Sequence, residues 1–456
     1  MPALDVAAAI DEGRFGGYQK LLIAGTALAI VLDGADNQLL SHAIPSLMRE
    51  WGVPRAALAS ASAAGPFGMM IGGVLGGLAG DRLGRRTALL ASVTAFAVVT
   101  LAIAAVPSVA MLTALRFLAG IGLGGAMPSA AAMASEYAPR RHRPFAVTLT
   151  IVSIPVGGVL AGLLAGQVLP AAGWRALFVV GGLVTLVLAL VLLRVLPESP
   201  RYLAARRERW PELRLVLRRL GHDVPSDSAF VETAAHTGTT GGSVGQIFSR
   251  ERRRDSLALM SAFTCCLLAI YVGFLWIPAM LTDPTAGFSQ SSASYALGVF
   301  NLGGVAGALV GALAIQRVGS RVALLGMSGL AVMAALGMAG MTLNPRAPLA
   351  TLLMFAITGG LLNAVQTTMY ALAAHVYPTA IRGTGIGATV AVGRVGNVLA
   401  SYVGSWALTA GGPPLYFSSW AAAMTVVGVS LVLVRRHIPP TARAAGRTGA
   451  STSHGV

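Results

Sequence analysis

Residues 72–90 read GGVLGGLAGDRLGRRTALL, and residues 307–325 read GALVGALAIQRVGSRVALL. Aligned without a gap, the two stretches share ten identical residues, among them the pairs Arg82 and Arg317, Gly84 and Gly319, and Arg86 and Arg321. A second pair, SEYAPRRHRP at 135–144 and HVYPTAIRGT at 375–384, follows at a similar spacing. The chain therefore carries an internal duplication, which is how many secondary transporters are built, with a substrate site near the bilayer midplane between the halves.

Long apolar runs surround both copies. A membrane helix needs about 20 predominantly apolar residues. We identify twelve such runs, called spans 1 to 12: 21–47, 57–79, 87–106, 109–135, 145–168, 175–196, 256–281, 292–316, 320–341, 347–376, 384–410 and 414–434. The sequence predicts an all-α polytopic membrane protein with twelve transmembrane helices in two six-helix, pseudo-symmetric halves.

The composition agrees with a membrane protein. Of 456 residues, 55% are hydrophobic and 11% are charged, and the mean hydropathy is +0.72. A soluble globular chain carries roughly 25% charged residues, so soluble, disordered, collagen-like and disulfide-rich secreted proteins are excluded. Cys265 and Cys266 are adjacent in an apolar run, a spacing that fits neither a metal site nor a redox pair.

The net charge of +16 reflects membrane orientation and not a nucleic-acid partner. The 33 basic residues lie almost entirely in short gaps between apolar runs. With both termini placed in the cytoplasm, 27 of them lie on the cytoplasmic side and 4 on the opposite side. This is a strong positive-inside signal. With no signal peptide apparent before Leu21, we expect a multi-pass protein of the bacterial cytoplasmic (inner) membrane with both termini cytoplasmic.

The expected organisation has five parts. They are a cytoplasmic N-terminal segment (1–20), an N-terminal six-helix bundle (21–196), a central cytoplasmic loop (197–255), a C-terminal six-helix bundle (256–434) and a cytoplasmic tail (435–456). Within the loop, residues 205–221 place Trp210, Leu213, Leu217 and Leu220 among arginines, which predicts a helix on the anionic inner leaflet. A solvated linker is the alternative for 222–245.

Four unambiguous charges lie inside the spans: Asp33, Asp36, Arg116 and Arg394. Each costs about 2.5–3.5 kcal/mol at the centre of a membrane helix, so such residues usually carry function. Asp33 and Asp36 share one helical face. Two nearby carboxylates in a low-dielectric cavity resist ionising together, which suits a proton carrier. A purely structural pairing of one aspartate with an arginine is the alternative.

Arg394 lies ten residues into span 11, about 15 Å deep at a rise of about 1.5 Å per residue. Its guanidinium matches a carboxylate substrate, whereas a neutral sugar needs no such partner. The competing interpretation is an ion pair with Asp33 or Asp36. Arg116, in span 4, serves proton relay or substrate binding equally well on sequence grounds.

Three motifs resemble those of the major facilitator superfamily: Gly77-x-x-x-Asp81-Arg82-x-Gly84-Arg85-Arg86 between spans 2 and 3, Arg116-x-x-x-Gly120-x-Gly122-x-Gly124-Gly125 in span 4, and Pro197-Glu-Ser-Pro-Arg201 after span 6. The resemblance covers essentially the whole chain. We interpret Asp81, Arg82, Arg85 and Arg86 as a gate. An Asp near the start of span 3 favours the positive end of its helix dipole, and the arginines can pair across to the second half. Gln316 replaces this Asp in the second copy.

A narrower resemblance is to the aromatic acid:proton symporters, which include 4-hydroxybenzoate and benzoate carriers. It rests on Asp33-Gly34-Ala35-Asp36, the run RFLAGIGLGGAMPSAAAMASEYAP from Arg116, Asn363, Gln366 and Tyr370 in span 10, YPTAIRGTGIG from Tyr377, and Gly393-Arg394-x-Gly396. The chain departs from the pattern at Ala35, where an aromatic residue is usual, and at Leu275, where Asn is common. Both departures affect the expected pocket.

The resemblance implies a proton-coupled symporter that imports a small aromatic carboxylate, such as a hydroxybenzoate or benzoate, by alternating access. It implies that Trp276, Asn363, Gln366 and Tyr370 line the cavity, where they can stack on a ring and hydrogen-bond its substituents. Helix packing is the alternative role for each. We expect no cofactor, with the proton gradient as the energy source, and a functional monomer in the lipid bilayer.

Other functions stay open at this point. The transporter alternatives are an importer of another organic anion or metabolite, and a drug:proton antiporter. The glycine-proline motif of the drug:proton antiporters is not reproduced around Pro155. A membrane receptor that senses an aromatic acid is the non-transport alternative. An enzyme is not expected, because the sequence shows no nucleophile–base pair and no metal cluster.

Overall fold

The computed structural model describes residues 3–222, 224–225, 229–231, 244–378 and 381–440, most of which are helical. The helices are α1 (Val6–Glu12), α2 (Gly17–Trp51), α3 (Arg55–Leu83), α4 (Arg85–Ile103), α5 (Val109–Tyr137), α6 (Arg143–Val195), α7 (Pro200–Ala204), α8 (Trp210–Arg219), α9 (Val244–Ile247), α10 (Arg253–Leu281), α11 (Gln290–Ala339), α12 (Pro348–Val376) and α13 (Arg382–Leu433). Two short strands are β1 (Ala3–Asp5) and β2 (Ala229–Val231). Among the described residues, nine helices, α2–α6 and α10–α13, are long and apolar enough to cross a membrane.

Three of the nine long helices are broken at a glycine. The φ angle is +75° at Gly173 in α6, +80° at Gly319 in α11 and +61° at Gly412 in α13. Glycine adopts such positive φ values without the steric penalty of a Cβ atom. Each broken helix therefore supplies two spans, and the twelve spans predicted from the sequence are confirmed across the described part of the chain.

The outward faces of the long helices stay apolar. Large side chains such as Val74, Met333 and Leu349 are 65%, 67% and 68% exposed. Exposed apolar patches of this extent are rare on soluble monomers, and hydrocarbon solvates them readily. A helix also satisfies its own backbone hydrogen bonds, as the bilayer requires. These faces are therefore suited to contact with lipid.

The chain divides into two compact units. The first unit comprises Met1–Leu39, Ala64–Ala161 and Ala172–Gly238, and the second comprises Leu40–Ala63, Gly162–Ala171 and Thr239–Val456. The adjoining ends of α2 and α3, and a short part of α6, thus group with the second unit and not with the first. The domain boundaries given above from the sequence stay a prediction.

The N-terminal segment and the central loop pack together in the first unit. Strands β1 and β2 pair in parallel, and Asp5 caps α1 by accepting hydrogen bonds from the next backbone amides. Val6, Ile10, Leu203, Leu213 and Phe230 belong to one buried apolar cluster. These early residues are therefore part of the folded unit.

The amphipathic helix expected within 205–221 is confirmed as α8, but its expected lipid contact is wrong. Leu213 and Leu217 are fully buried in the apolar cluster of the first unit, and Trp210 meets Phe230 edge-on at 5.3 Å. The chain's own residues therefore cover the apolar face of α8. Much of the alternative linker, 222–245, lies outside the described residues.

The duplication seen in the sequence extends to tertiary contacts. In the first unit, the Arg86 backbone amide donates to Glu198, which follows the last span of that half (2.9 Å). In the second unit, Ser320 exchanges hydrogen bonds with Ile438, which follows the last span of the other half: its amide donates to the Ile438 carbonyl (2.9 Å), and its hydroxyl accepts from the Ile438 amide (2.8 Å). In both copies, the chain that leaves the last span binds the turn between the second and third spans.

Candidate functional site

The two aspartates of the first unit lie where α2 and α6 approach to backbone contact. A Cβ atom at Gly34 would overlap the Ile154 backbone, and one at Gly157 would overlap the backbone of α2. Small residues allow such close helix contacts in membranes. Asp33 and Asp36 are 4% and 2% exposed, so both carboxyl groups are buried in the interior of the unit.

Asp36 belongs to a buried polar cluster that joins α2, α4 and α5. Thr100 donates its hydroxyl hydrogen to Asp36 Oδ1 at 2.5 Å. The Nη1 atom of Arg116 lies 3.9 Å from Asp36 Oδ2. Arg116, only 1% exposed, also donates to the backbone carbonyls of Asp36 (3.5 Å) and Asn37 (3.4 Å). Asp36 is thus paired with one cation, Arg116, and accepts a hydrogen bond from one hydroxyl, that of Thr100.

The guanidinium of Arg116 occupies space that a glycine leaves free. A Cβ atom at Gly65 would lie 3.2 Å from Arg116 Nη2. The sequence left Arg116 open between proton relay and substrate binding, and its contact with Asp36 favours the relay. Thr100, Asn37 and Gly65 could not be predicted from the sequence, because a single threonine, asparagine or glycine is ordinary in a membrane helix.

In the second unit, Arg394 lies where α10 and α13 come into close contact. A Cβ atom at Gly396 would overlap the Thr264 carbonyl. Arg394 is half-buried, and a Cβ atom at the preceding residue, Gly393, would lie 3.0 Å from the Phe263 Cβ atom. Tyr370 meets Phe263 edge-on, with ring centroids 5.1 Å apart. A guanidinium, a phenol and an aromatic ring therefore occupy one region of this unit.

Gln366 extends this group by one helical turn. It is half-buried and lies four residues before Tyr370 on α12, so the two side chains share a face of that helix. Together, Arg394, Tyr370 and Gln366 offer a cation for an anionic group and polar atoms for ring substituents. Phe263 was missed by the sequence analysis, since a phenylalanine in a span carries no signal of its own.

Trp276 and Asn363 are held in the packed interior of the second unit. Trp276 is fully buried, and a Cβ atom at Gly404 would overlap its indole ring. Its Nε1 atom makes no hydrogen bond to any residue that the structure describes. Asn363 donates to the Gly359 carbonyl of its own helix at 2.9 Å. Both residues contribute to helix packing, and their role in a pocket stays a prediction.

The predicted gate residues lie at the junction of α3 and α4. Asp81, whose side chain is 64% exposed, forms an ion pair with Arg85 at 2.5 Å, and Arg85 Nε lies 3.8 Å from Glu136. Arg86 donates to two carbonyls at the end of α6. The Arg82 carbonyl accepts hydrogen bonds from the segment after α6. These contacts hold the loop against its own unit, whereas the sequence predicted that its arginines can pair across to the other half.

Glu198 is the residue of this loop region that the sequence analysis missed. Its carboxylate accepts hydrogen bonds from the Arg86 and Ser199 backbone amides, both at 2.9 Å. It also occupies the position that a Cβ atom at Gly84 would need. The signal was present in the Pro197–Arg201 motif, whose single acidic side chain had no assigned partner.

No group of three or more His, Cys, Asp or Glu residues is placed to hold a metal ion in the described part of the chain. The arrangement instead provides buried or half-buried charges of both signs within apolar helices. Such charges can bind a proton or an anion, but they do not assemble a nucleophile with its base.

The comparison with known families agrees with the fold and the motifs. The sequence model described as the Major Facilitator Superfamily matches residues 26–401. The gallate transporter of Pseudomonas putida is 33% identical over 434 residues, which cover 93% of this chain and 94% of that protein. The 4-hydroxybenzoate transporter PcaK of Pseudomonas aeruginosa is 33% identical, with 90% of each chain covered. The benzoate transport protein of Acinetobacter baylyi is 27% identical, with 94% of this chain and 93% of that one covered.

The fold is also similar to that of solved structures. A partially occluded, inward-open form of the xylose transporter XylE from E. coli superposes with a TM-score of 0.71, at 18% identity, and covers 92% of this chain and 99% of that one. At this level of identity the likeness concerns the fold alone. It supports the two-times-six arrangement of spans predicted from the sequence.

Proposed function

Since the chain belongs to the Major Facilitator Superfamily, we propose that it is a proton-coupled symporter that imports a small aromatic carboxylate, such as a hydroxybenzoate or benzoate. The observation that carries the proposal is that the half-buried Arg394 directly follows Gly393, which packs against Phe263, and that Phe263 in turn contacts Tyr370 in the second unit. A half-buried guanidinium next to aromatic rings matches an aromatic ring that bears a carboxylate. The names of the relatives, gallate, 4-hydroxybenzoate and benzoate transporters, support the same substrate class.

The two units take different parts of the reaction. The substrate carboxylate binds the Arg394 guanidinium in the second unit, where Gln366 and Tyr370 can bind ring substituents. The proton binds a carboxylate of the first unit, and we assign it to Asp36, which contacts Thr100 and Arg116. Once Asp36 is protonated, its attraction for Arg116 weakens, because an ion pair has become a contact between a cation and a neutral acid. The binding of one proton therefore alters the buried contacts that hold α2, α4 and α5 together.

The proton gradient supplies the energy. An anion and a proton that move together carry no net charge, so a pH gradient alone can drive accumulation. We propose a location in the bacterial cytoplasmic membrane with both termini in the cytoplasm, on the basis of the arginine distribution, and a functional monomer. Alternating access then moves the site from one side of the membrane to the other.

Proteoliposomes that contain the purified full chain test this proposal. We expect labelled 4-hydroxybenzoate or benzoate to accumulate when an inward proton gradient is imposed, and an uncoupler to abolish the accumulation. Unlabelled acid should compete with the label, whereas 4-hydroxybenzamide, which lacks the carboxylate, should not. Equal competition by acid and amide would contradict the contact between the carboxylate and Arg394. Saturable binding without flux would indicate a receptor instead.

A further inference from the structure

A cavity lies at one end of the second unit, between the junction of α2 with α3 and the segment that joins α10 to α11. Its volume is about 360 Å³. We call it the vestibule cavity, and its lining comprises Pro45, Met48, Arg49, Arg55, Ala279, Thr282, Asp283, Pro284, Phe288, Ser289 and Gln290. This volume falls within the range of roughly 300–1,000 Å³ typical of small-molecule sites.

The vestibule cavity carries two arginines with donor atoms to spare. Arg49 donates one hydrogen bond from Nε to the Pro45 carbonyl (3.2 Å) and one from Nη2 to Gln290 Oε1 (2.6 Å). Arg55, whose side chain is 12% exposed, forms an ion pair with Asp283 through Nη2 (3.0 Å). Its buried Nε atom has no hydrogen-bond partner among the residues that the structure describes. A guanidinium whose hydrogen bonds use only some of its five N–H groups can still donate to a second carboxylate.

Asp283 contributes one fixed negative charge to the cavity. Partial burial raises the pKa of Asp283, but hydrogen bonds from the Thr285 hydroxyl and amide, and the hydrogen bond and charge of Arg55, outweigh this effect and hold the pKa below its ordinary value. A carboxyl group with a lowered pKa loses its charge only when the pH falls through that pKa, well below neutrality. The three charges therefore leave the cavity with one excess positive charge near neutral pH.

Apolar groups complete the lining. Phe288 is only 6% exposed, and Met48 and Pro45 also line the cavity. Methionine adapts its shape and makes favourable contacts with aromatic rings. An excess positive charge beside apolar surface suits an aromatic anion better than a sugar or a bare inorganic anion.

The vestibule cavity is distinct from the Arg394 region of the same unit. Arg55 and Asp283 also line a smaller neighbouring cavity of about 100 Å³, together with Gly412 of α13. Gly412 lies 18 residues after Arg394 on α13, which corresponds to about 27 Å at a rise of about 1.5 Å per residue. A single substrate molecule cannot contact both positions.

We propose that the vestibule cavity is a second, weaker binding site for the aromatic carboxylate, with Arg55 and Arg49 as its carboxylate partners. The identity of the ligand rests on the function proposed above. In the proposed orientation the cavity faces the outside, since it lies at the end of α10 opposite Asp255, which accepts a hydrogen bond from the Arg435 amide near the C-terminus. Two cationic side chains at that end raise the local concentration of anions.

Equilibrium binding of labelled 4-hydroxybenzoate to the purified full-length Arg394→Ala protein tests the proposal. This variant lacks the proposed carboxylate partner of the main site, so we expect weak, saturable binding to persist. Adding Arg55→Gln should lower the residual affinity about tenfold or more, because it removes a charged hydrogen bond. Asp283→Asn is the matched control. It breaks the same ion pair but keeps the cation, so affinity should be unchanged or higher.

Three outcomes would overturn the inference: no residual binding, residual binding that Arg55→Gln leaves unchanged, or an equal loss with Arg55→Gln and Asp283→Asn. None of them affects the test of the proposed function, which uses transport by the wild-type chain and competition by the amide. If that competition fails while residual binding behaves as expected, the vestibule cavity holds an anion that is not the transported substrate.

A second measurement keeps Arg394 in place. Thr282 lines the vestibule cavity and is half-buried. Its hydroxyl donates a hydrogen bond to the Pro278 carbonyl at the end of the same helix (2.8 Å). In a chain with Cys265 and Cys266 replaced by alanine, we expect a membrane-impermeant maleimide to label Thr282→Cys. 4-Hydroxybenzoate should slow the labelling and 4-hydroxybenzamide should not. Protection should vanish with Arg55→Gln and persist with Asp283→Asn, and protection by the amide would contradict a carboxylate site.

Discussion

Asp36 is held in the first unit by partners on two other helices. Its carboxylate is buried, accepts a hydrogen bond from Thr100 and faces Arg116 at 3.9 Å. An isolated carboxylate in such a place would be very costly, and removing one partner of a buried pair usually costs about 3–5 kcal/mol. A group whose ionic form depends on one neighbour is well suited to gain and lose a proton during a transport cycle.

Replacing Asp36 by Asn should abolish accumulation driven by the proton gradient, because the amide cannot take up the coupling proton. Exchange of external for internal substrate should survive, since it needs no net proton movement. Uptake and counterflow of labelled 4-hydroxybenzoate in proteoliposomes measure both. Thr100→Val is the matched control: it removes one hydrogen bond but keeps the carboxylate, so accumulation should continue. Accumulation at the wild-type level by Asp36→Asn would show that this aspartate is not an essential proton carrier.

The geometry of Arg394 leads to a second prediction. Arg394→Lys keeps the charge but loses the planar fork, so the affinity for the carboxylate should fall about tenfold or more, equivalent to roughly 1.5–3 kcal/mol. Arg394→Ala should be inactive in transport. Uptake assays measure the apparent affinity of each variant for 4-hydroxybenzoate. Binding of 4-hydroxybenzamide, which lacks the carboxylate, provides the comparison. A lysine variant with wild-type affinity would argue against bidentate binding.

The sequence could identify the charged residues of both regions because a charge inside an apolar run is costly and therefore conspicuous. Asp33, Asp36, Arg116 and Arg394 stood out for that reason. Thr100 and Phe263 did not, since a threonine or phenylalanine costs little in a span and only tertiary contacts reveal its partner. Which arginine faces Asp36 was also out of reach, because spans 1 and 4 meet only in the folded chain.

At the scale of helices and turns, the junction of α3 and α4 depends on Gly84. Its φ is +105° and its ψ is 149°, a conformation that is essentially open only to glycine. Gly84→Ala should therefore lower the stability by about 1–3 kcal/mol from backbone strain alone, and the new methyl group would also push against Glu198. The thermal midpoint of the detergent-solubilised protein should fall.

Gly77→Ala is the matched control, since a Cβ atom at Gly77 meets nothing within 4 Å. It lies inside α3, where alanine favours the helix relative to glycine. Its thermal midpoint should equal or exceed that of the wild type. Equal effects of the two substitutions would mean that the turn is not constrained in the way the structure indicates.

The loop that begins with Asp81 yields a kinetic prediction. The ion pair between Asp81 and Arg85 is exposed, so its loss should cost less than about 1 kcal/mol of stability. If the loop acts as a gate, Asp81→Asn should slow transport and leave the substrate affinity nearly unchanged. Initial rates and apparent affinities from uptake separate the two effects. A large loss of affinity at normal turnover would assign Asp81 to substrate binding instead.

The positions of the helices could be predicted from the sequence better than the surfaces that the helices contact. The twelve apolar runs gave the spans, and glycines at 173, 319 and 412 mark the three breaks. The amphipathic pattern of α8 was equally clear, yet it could not distinguish a lipid surface from a protein surface. Either surface favours burial of the same leucines, and only the fold shows that Phe230 of β2 and the buried apolar cluster of the first unit cover them.

At the scale of the whole molecule, the duplication is the strongest link between sequence and fold. The paired turns at Gly84 and Gly319 have the same sign of φ, and each is bound by the chain that follows its own six spans. The two units differ in the charges that they hold. The first unit holds the buried Asp33 and Asp36, and the second holds the half-buried Arg394. The proposed function assigns the proton to the first unit and the substrate carboxylate to the second.

The most direct test of the central claim is to measure proton and substrate flux together. Proteoliposomes that hold the wild-type chain and a pH-sensitive dye in the lumen receive an inward gradient of 4-hydroxybenzoate with no imposed pH gradient. We predict that the lumen acidifies as the labelled acid enters, and that Asp36→Asn allows neither the acidification nor net uptake. Entry of the acid through the wild-type chain with no acidification beyond that of protein-free vesicles would contradict proton-coupled import of an aromatic carboxylate.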